Sequence, residues 1–308
     1  MADLPQLADS IFLTDGGIET TLIYQDGFDL PEFAAFVLLD TEDGRAALRR
    51  YFESYVAVAK DAGVGIVLET PTWRASNGWG AKLGYSADAV ATVNRAAVDQ
   101  LLAIREEQET ASTPIIVSGC VGPQRDGYHP SEWSTPEGAE AYHAAQIQTF
   151  ADAGADLVTA ITMTHTGEAI GFVRAATAAG LPSVISFTVE TDGRLPSGET
   201  LGEAVQKVDA ETDGPAYFMV NCAHPTHLAD TLLAGDGWQD RVRGLRSNAS
   251  TMSHDELDVA EELDRGDPAD LGARYAALRK ELPKLTVLGG CCGTDAGHIR
   301  AISDACLA

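Results

Sequence analysis

The chain has 308 residues, 45% hydrophobic and 22% charged, enough for one large core or two modest ones. Its 21 basic residues against 46 acidic give a formal charge of −25, which excludes nucleic acid and anionic membrane surfaces as expected partners, since both would repel it. Five cysteines, an odd number with two adjacent, exclude a secreted disulfide framework and point to a reducing compartment. The first Lys or Arg is Arg45, so neither a basic secretory start nor an Arg-rich transit peptide is expected. No apolar run approaches the roughly 18 residues of a membrane span. A cytoplasmic protein is the expectation.

Short apolar runs alternate with longer amphipathic segments along the chain. Strands are expected at Ile11–Thr14, Gly65–Glu69, Ile115–Ser118, Asp156–Ile161, Ser183–Thr188, Ala216–Val220, Arg241–Arg246 and Leu285–Leu288. Helices are expected between and after them, at Gly44–Ala62, Ala87–Glu107, Glu137–Ala153, Glu168–Ala179, Thr200–Ala210, Pro225–Leu233, Asp270–Glu281 and Asp295–Ala305. Thr135-Pro136 supplies a helix N-cap with proline at the first helical position, and Ser253 with Glu256 forms a capping box. The capping box opens an extra acidic helix over His254–Leu263, read as a solvated face. The polar stretch from Asp126 to Pro136, with Gly127 and Pro130, reads as a long loop able to cover a site. Eight strand–helix units without a Gly/Ser linker predict a single (β/α)8 barrel domain over residues 1–308. The competing doubly wound sheet would more often carry a glycine fingerprint after its first strand, and Asp15-Gly16-Gly17 is not one.

In a barrel the strand ends share one mouth, where active sites form. Here they are Asp15, Glu69, Cys120, Thr162, Glu190, Cys222, Asn248 and the pair Cys291–Cys292. The segment Leu288-Gly289-Gly290-Cys291-Cys292-Gly293-Thr294 is a strand, a glycine turn carrying two thiols, and an N-cap expected at Thr294. Adjacent cysteines rarely pair with each other, because a disulfide needs its Cα atoms further apart than one peptide allows. Two thiols on one metal is the better use, and Cys222, after Asn221, supplies a third. Three thiolates from two strand ends make a zinc site with an open position. His224, His227 and Cys120 are candidates to close it, whereas Cys306 reads as helix filler. The plain alternative is a trio of buried thiols. A thiol entering the open position is deprotonated there and stays nucleophilic, which suits thiol alkylation better than hydrolysis.

Three motifs carry a family resemblance: Asp15-Gly16-Gly17-Ile18-Glu19-Thr20, Asn221-Cys222 and Gly289-Gly290-Cys291-Cys292-Gly293-Thr294. Between them lie Ala75-Ser76 and Gly119-Cys120-Val121-Gly122-Pro123. Together they resemble the homocysteine S-methyltransferases, betaine- and S-methylmethionine-dependent enzymes included, over the whole chain. The resemblance implies a (β/α)8 barrel in which Cys222, Cys291 and Cys292 hold zinc. It implies that a homocysteine thiolate completes the metal shell and attacks a methyl group in line, giving methionine. It places Asp15, Gly16, Gly17, Thr162 and Asn221 against the substrate, with Asp15 holding the amino group. Where the family carries a Glu-Thr pair after strand four, this chain has Ile161-Thr162, leaving Glu69 or Glu190 to compensate. A quaternary ammonium donor would want an aromatic cage, for which Trp73, Trp79, Tyr85, Tyr24 and Trp133 are the candidates. Arg74 stands where relatives tend to be uncharged, and is read as either a donor-carboxylate ligand or a solvated residue. Small-molecule partners are expected, with a homo-oligomer possible and no folate or cobalamin domain. A zinc hydrolase and a non-catalytic structural-zinc or dithiol-redox protein are the competing readings.

Overall fold

Residues 4–8, 10–128, 132–260 and 262–308 are described by a computed structural model. Every apolar run expected as a strand forms one: β1 Phe12–Leu13, β2 Gly65–Glu69, β3 Ile115–Val121, β4 Leu157–Met163, β5 Ser183–Thr188, β6 Tyr217–Asn221, β7 Val242–Ser247 and β8 Val287–Gly290. All pair in parallel with their sequence neighbours, and β8 returns to β1, so the sheet closes as a (β/α)8 barrel. The doubly wound alternative is thereby overturned.

The eight main crossover helices are also present, within a few residues of their expected bounds: α1 Glu42–Ala62, α3 Ala87–Gln108, α4 Pro136–Ala153, α5 Thr166–Ala178, α6 Leu201–Glu211, α7 Pro225–Leu232, α9 Pro268–Glu281 and α10 Ala296–Leu307. Thr135 and Ser253 cap as expected. The last helix is capped by Asp295 rather than Thr294, whose hydroxyl turns back to the Cys291 carbonyl at 2.7 Å. The elements not expected include the short α2, Asn77–Lys82, a π-helical turn at Thr20–Gln25, where the chain leaves β1, and a 3-10 segment at Ala35–Asp40. The extra helix is shorter than expected, α8 His254–Asp258. Pro130 in the long loop and Glu261 beyond α8 lie outside the described residues.

The barrel interior is layered, because side chains two apart on a strand face the same way. Phe12, Val67, Ile116, Leu157, Val184, Tyr217, Met219 and Val287 form an apolar plug at the N-terminal end. Two residues further along, the inward positions become polar: Glu69, Ser118, Thr159, Ser186 and Asn221. Ser118 and Thr159 pair through their hydroxyls at 2.8 Å, and Ser186 donates to Asn221 Oδ1 at 2.6 Å. Glu69 is buried in this layer, and the loss of water pushes its carboxyl up to about 7 despite Arg246 nearby. From α9, the buried Tyr275 hydroxyl accepts the Ser247 N–H at 2.8 Å and donates to Gly289 O at 2.7 Å. One phenol thus fastens β7 to β8 just below the two cysteines.

Tyr275→Phe leaves both of those buried backbone groups without their partner, so unfolding in urea is expected at a stability lower by about 1–3 kcal/mol. A second expectation concerns pH. Folding raises Glu69 from 4.5 to about 7, so the folded chain holds a proton there that the unfolded chain releases. Stability from this group is full below pH 4.5 and is lost as pH rises through about 7. The slope of unfolding free energy against pH across that window should be shallower in Glu69→Gln than in the wild-type protein; equal slopes would contradict the assignment.

Candidate metal centre and its cavity

Cys222 follows β6, and Cys291 and Cys292 follow β8, on either side of β7. The three sulfurs converge: among the described residues they form the one group of three or more His, Cys, Asp or Glu whose ligand atoms all lie within 4.8 Å of each other. The Cys222 and Cys292 sulfurs are 4.0 Å apart. Cys222 is buried, Cys291 partly exposed and Cys292 exposed.

Backbone bonds to β7 and its extension hold this arrangement. Cys222 N–H donates to Arg246 O at 3.1 Å, and Cys291 N–H to Ser247 O at 2.8 Å. Asn248, just past β7, then reaches both ways: its amide donates to Cys222 O at 2.9 Å and accepts from Cys292 N–H at 3.1 Å. On the other side Thr294 accepts from Gly17 N–H at 3.1 Å, tying the Asp-Gly-Gly turn to the cysteine turn. Gly17 has to be glycine here, since a Cβ would stand 2.6 Å from Cys291 O.

Two non-glycine residues at the mouth adopt left-handed backbone, Cys222 (φ 55°) and Thr162 (φ 67°). Such conformers cost roughly 1–3 kcal/mol each and cluster at functional sites. Thr162 lies within β4, not after it, at an irregularity in the β4–β5 register between Ala160 and Met163. Asn221 holds it there, accepting from Thr162 N–H at 2.9 Å and donating to Thr162 Oγ1 at 2.8 Å.

The sulfurs open onto a cavity also lined by Asp15, Gly16, Gly17, Glu19, Glu69, Trp73, Cys120, Tyr128, Ile161, Thr162 and Arg246. Hydrogen bonding from the Cys291 and Cys292 thiols pulls the Cys222 thiol well below its ordinary value. The same interactions push Cys291 and Cys292 well above theirs. Asp15 Oδ1 is 2.7 Å from Arg246 Nη2, and its Oδ2 accepts from the Tyr51 hydroxyl at 2.9 Å. Burial pushes the Asp15 carboxyl up, against the pull of Arg246. Arg246 is itself buried, but Asp15 and Glu69 outweigh that burial and hold it charged. Glu19 is likewise pushed up to about 7 by burial.

Of the residues expected at the mouth, Asp15, Glu69, Cys120, Thr162, Cys222, Cys291 and Cys292 line this cavity. Glu69 and Cys120 reach it from inside their strands. Asn248 and Asn221 act as braces, and Glu190 bonds His254 at 3.3 Å. Neither Cys120 nor a histidine belongs to the sulfur group: His224 Nδ1 sits 2.8 Å from Thr226 Oγ1 at the start of α7, and His227 Nε2 lies 2.9 Å from Thr251 O.

Other expectations are corrected. The five-aromatic cage does not assemble. Trp73 lines the cavity, but Trp79 donates to Pro123 O at 3.1 Å and stacks on Arg74, and Tyr85 bonds Asp40. Tyr24 and Trp133 are 60% and 48% exposed. Arg74 is not solvated; it is 5% exposed and sandwiched between the Trp73 and Trp79 rings at 4.0 and 3.6 Å. The acidic helix is not only a solvated face, because its first residue, His254, turns inward to within 2.6 Å of Cys222 O.

Three residues escaped the sequence reading. Tyr128, from the long loop, places its hydroxyl 3.2 Å from Cys222 Sγ. Arg246 and Glu19 line the cavity beside it. Period-two counting along β7 marks Arg246 as inward, and Glu19 sits inside a motif already singled out; Tyr128 has no local signal.

A family model described as homocysteine S-methyltransferase matches residues 12–306. Methionine synthase of Mycobacterium tuberculosis is 30% identical over 183 residues, which is 54% of this chain; the match spans only 14% of that protein's length. Among solved structures, the oxidised form of the homocysteine methyltransferase MmuM from Escherichia coli superposes with a TM-score of 0.76 at 21% identity, covering 96% of this chain and 95% of that one. Its metallated form gives 0.75 at 18% identity, covering 96% of each. With a family model matched from β1 into the last helix and a closed barrel that brings the motif cysteines together, the chain belongs to the homocysteine S-methyltransferase family.

Proposed function

We propose that this protein moves a methyl group from a small sulfonium or quaternary ammonium donor to a thiol acceptor, with homocysteine the first choice, and that Cys222, Cys291 and Cys292 hold a zinc ion for the purpose. The observation that carries this reading is the convergence of three sulfurs from two strand ends at the barrel mouth. The donor set suits zinc: three soft thiolates, and no fourth Cys, His, Asp or Glu in the group among the described residues, which leaves one position for a substrate. When bound, zinc would keep an acceptor thiol deprotonated and nucleophilic near neutral pH.

The chain's own residues supply position. Asn248 and the Gly290–Thr294 turn fix the two arms of the thiol set. Asn221 holds Thr162 in its left-handed conformer, which turns that residue into the cavity wall. The Gly16–Gly17 turn packs closely on Tyr55, Thr294 and Cys291, which seats it against the cysteine turn at the cavity wall. Asp15, committed to Arg246 and Tyr51, keeps the turn and the guanidinium in register and meets a substrate amine only as part of that pair. Tyr128 brings the loop after β3 over the sulfurs, where it limits the space left for the donor.

Protein purified under reducing conditions should carry about one zinc per chain and should methylate homocysteine from betaine, S-methylmethionine or dimethylsulfoniopropionate. Cys291→Ser should lose both metal and turnover while keeping its far-UV spectrum, and Cys120→Ala and Cys306→Ala should keep their zinc. Full metal retention by Cys291→Ser refutes the ligand assignment. Asn248→Ala should weaken zinc binding by about 10–100-fold in chelator competition, the usual effect of removing a group that orients metal ligands. An unchanged zinc affinity would reduce Asn248 to a loop brace.

A further inference from the structure

Four ionisable side chains line the cavity beside the sulfurs: Asp15, Glu19, Glu69 and Arg246. Their pairing is uneven. Asp15 and Arg246 neutralise each other at 2.7 Å. Glu69 lies deeper, 4% exposed, in the field of Arg246 and beside the Ser118 and Thr159 hydroxyls. Glu19 differs from both. No Arg, Lys or His among the described residues forms an ion pair with it. The charges it feels most strongly, Cys222 and Asp15, share its sign, and Arg74 acts on it more weakly. Arg74 is engaged elsewhere, stacked between two indoles with its Nη2 3.7 Å from Asp126 Oδ2. Glu19 also keeps partial exposure, so it is open to what enters the cavity. A carboxylate desolvated among like charges is unfavourable alone and favourable once a cation arrives.

We infer that Glu19 is the specificity-determining residue that receives the organic cation of a substrate. The inference deepens the methyl-transfer reading and rests on it. The same chemistry has two sources in that reaction, the ammonium of an amino-acid thiol acceptor and the onium centre of the methyl donor. Either would exchange water for a charge-assisted contact with the carboxylate. Gly17, two residues earlier, lies against the Cys291 carbonyl, so Glu19 follows a turn packed on the cysteine turn.

Two ligand pairs, each differing in one cationic group, test this by isothermal titration of the zinc-loaded protein. They are homocysteine against 4-mercaptobutanoate, and dimethylsulfoniopropionate against 3-(methylthio)propionate. In Glu19→Gln the cationic member of one pair should bind about tenfold or more weakly while its uncharged-centre analogue changes by less than about twofold. A shift in the first pair assigns Glu19 to the acceptor, and a shift in the second to the donor. Glu19→Asp, which keeps the charge, should retain the preference. The inference is overturned if neither cationic ligand weakens, if wild type shows no preference within either pair, or if Glu19→Gln loses zinc or melts earlier, which would make the residue structural. Product analysis on wild type stands apart from these titrations. Cation-selective binding without methylated product would sink the methyl-transfer reading and leave Glu19 as the cation receptor.

Discussion

Everything at the mouth of this barrel depends on β7 standing between two strands that each deliver thiols. Closure fixes β6, β7 and β8 side by side in parallel register, so the ends carrying Cys222 and Cys291 flank one strand and cannot drift apart. The backbone of β7 accepts an N–H from each of these cysteines, and Asn248 just beyond it braces Cys222 and Cys292 with one amide group. A thiol set built this way is geometrically ready before any ligand arrives, because its spacing is inherited from the spacing of strands. The buried Asp15–Arg246 pair extends the same logic to β1. A buried pair of this kind contributes little net stability against well-packed apolar residues, but removing either partner leaves an uncompensated buried charge.

Much of this was legible in the sequence, and the reasons are physical. Strands buried on both faces read as continuous apolar runs, and helices announce themselves through caps, so all eight units could be placed from local signals. The Cys-Cys pair among glycines has few uses in a core, which is why the three-thiol set stood out. What local reading missed came from tertiary contact. Tyr128 reaches Cys222 across 94 residues. His254 sits in a segment whose composition is that of a solvated helix, yet its ring turns to the Cys222 carbonyl. Thr162 breaks the regularity of β4 because Asn221, 59 residues away, bonds both its backbone and its hydroxyl. Arg74 reads in the sequence as either a donor-carboxylate ligand or a solvated residue, because the two tryptophans that desolvate it are invisible as a sandwich in one dimension.

Electrostatics give the cavity a character that the whole-chain charge does not foretell. A chain at −25 would seem to need no further anion inside, yet the three carboxyls lining the cavity, Asp15, Glu19 and Glu69, are pushed up by burial and one guanidinium is held charged by two acids. Surface acidity is screened by water and salt. The interior groups are not, so their pairing rather than their number decides what the cavity accepts.

The layering of the barrel interior divides the labour along each strand. Val67 and Glu69 are two residues apart on β2, as are Leu157 and Thr159 on β4 and Met219 and Asn221 on β6; in each case the first belongs to the apolar plug and the second to the polar tier beneath the site. Evolutionary drift in the plug is therefore constrained chiefly by volume, and drift in the tier chiefly by hydrogen-bond partners. A lineage can re-tailor its acceptor or donor by exchanging tier residues in coordinated sets while the plug keeps the barrel folded.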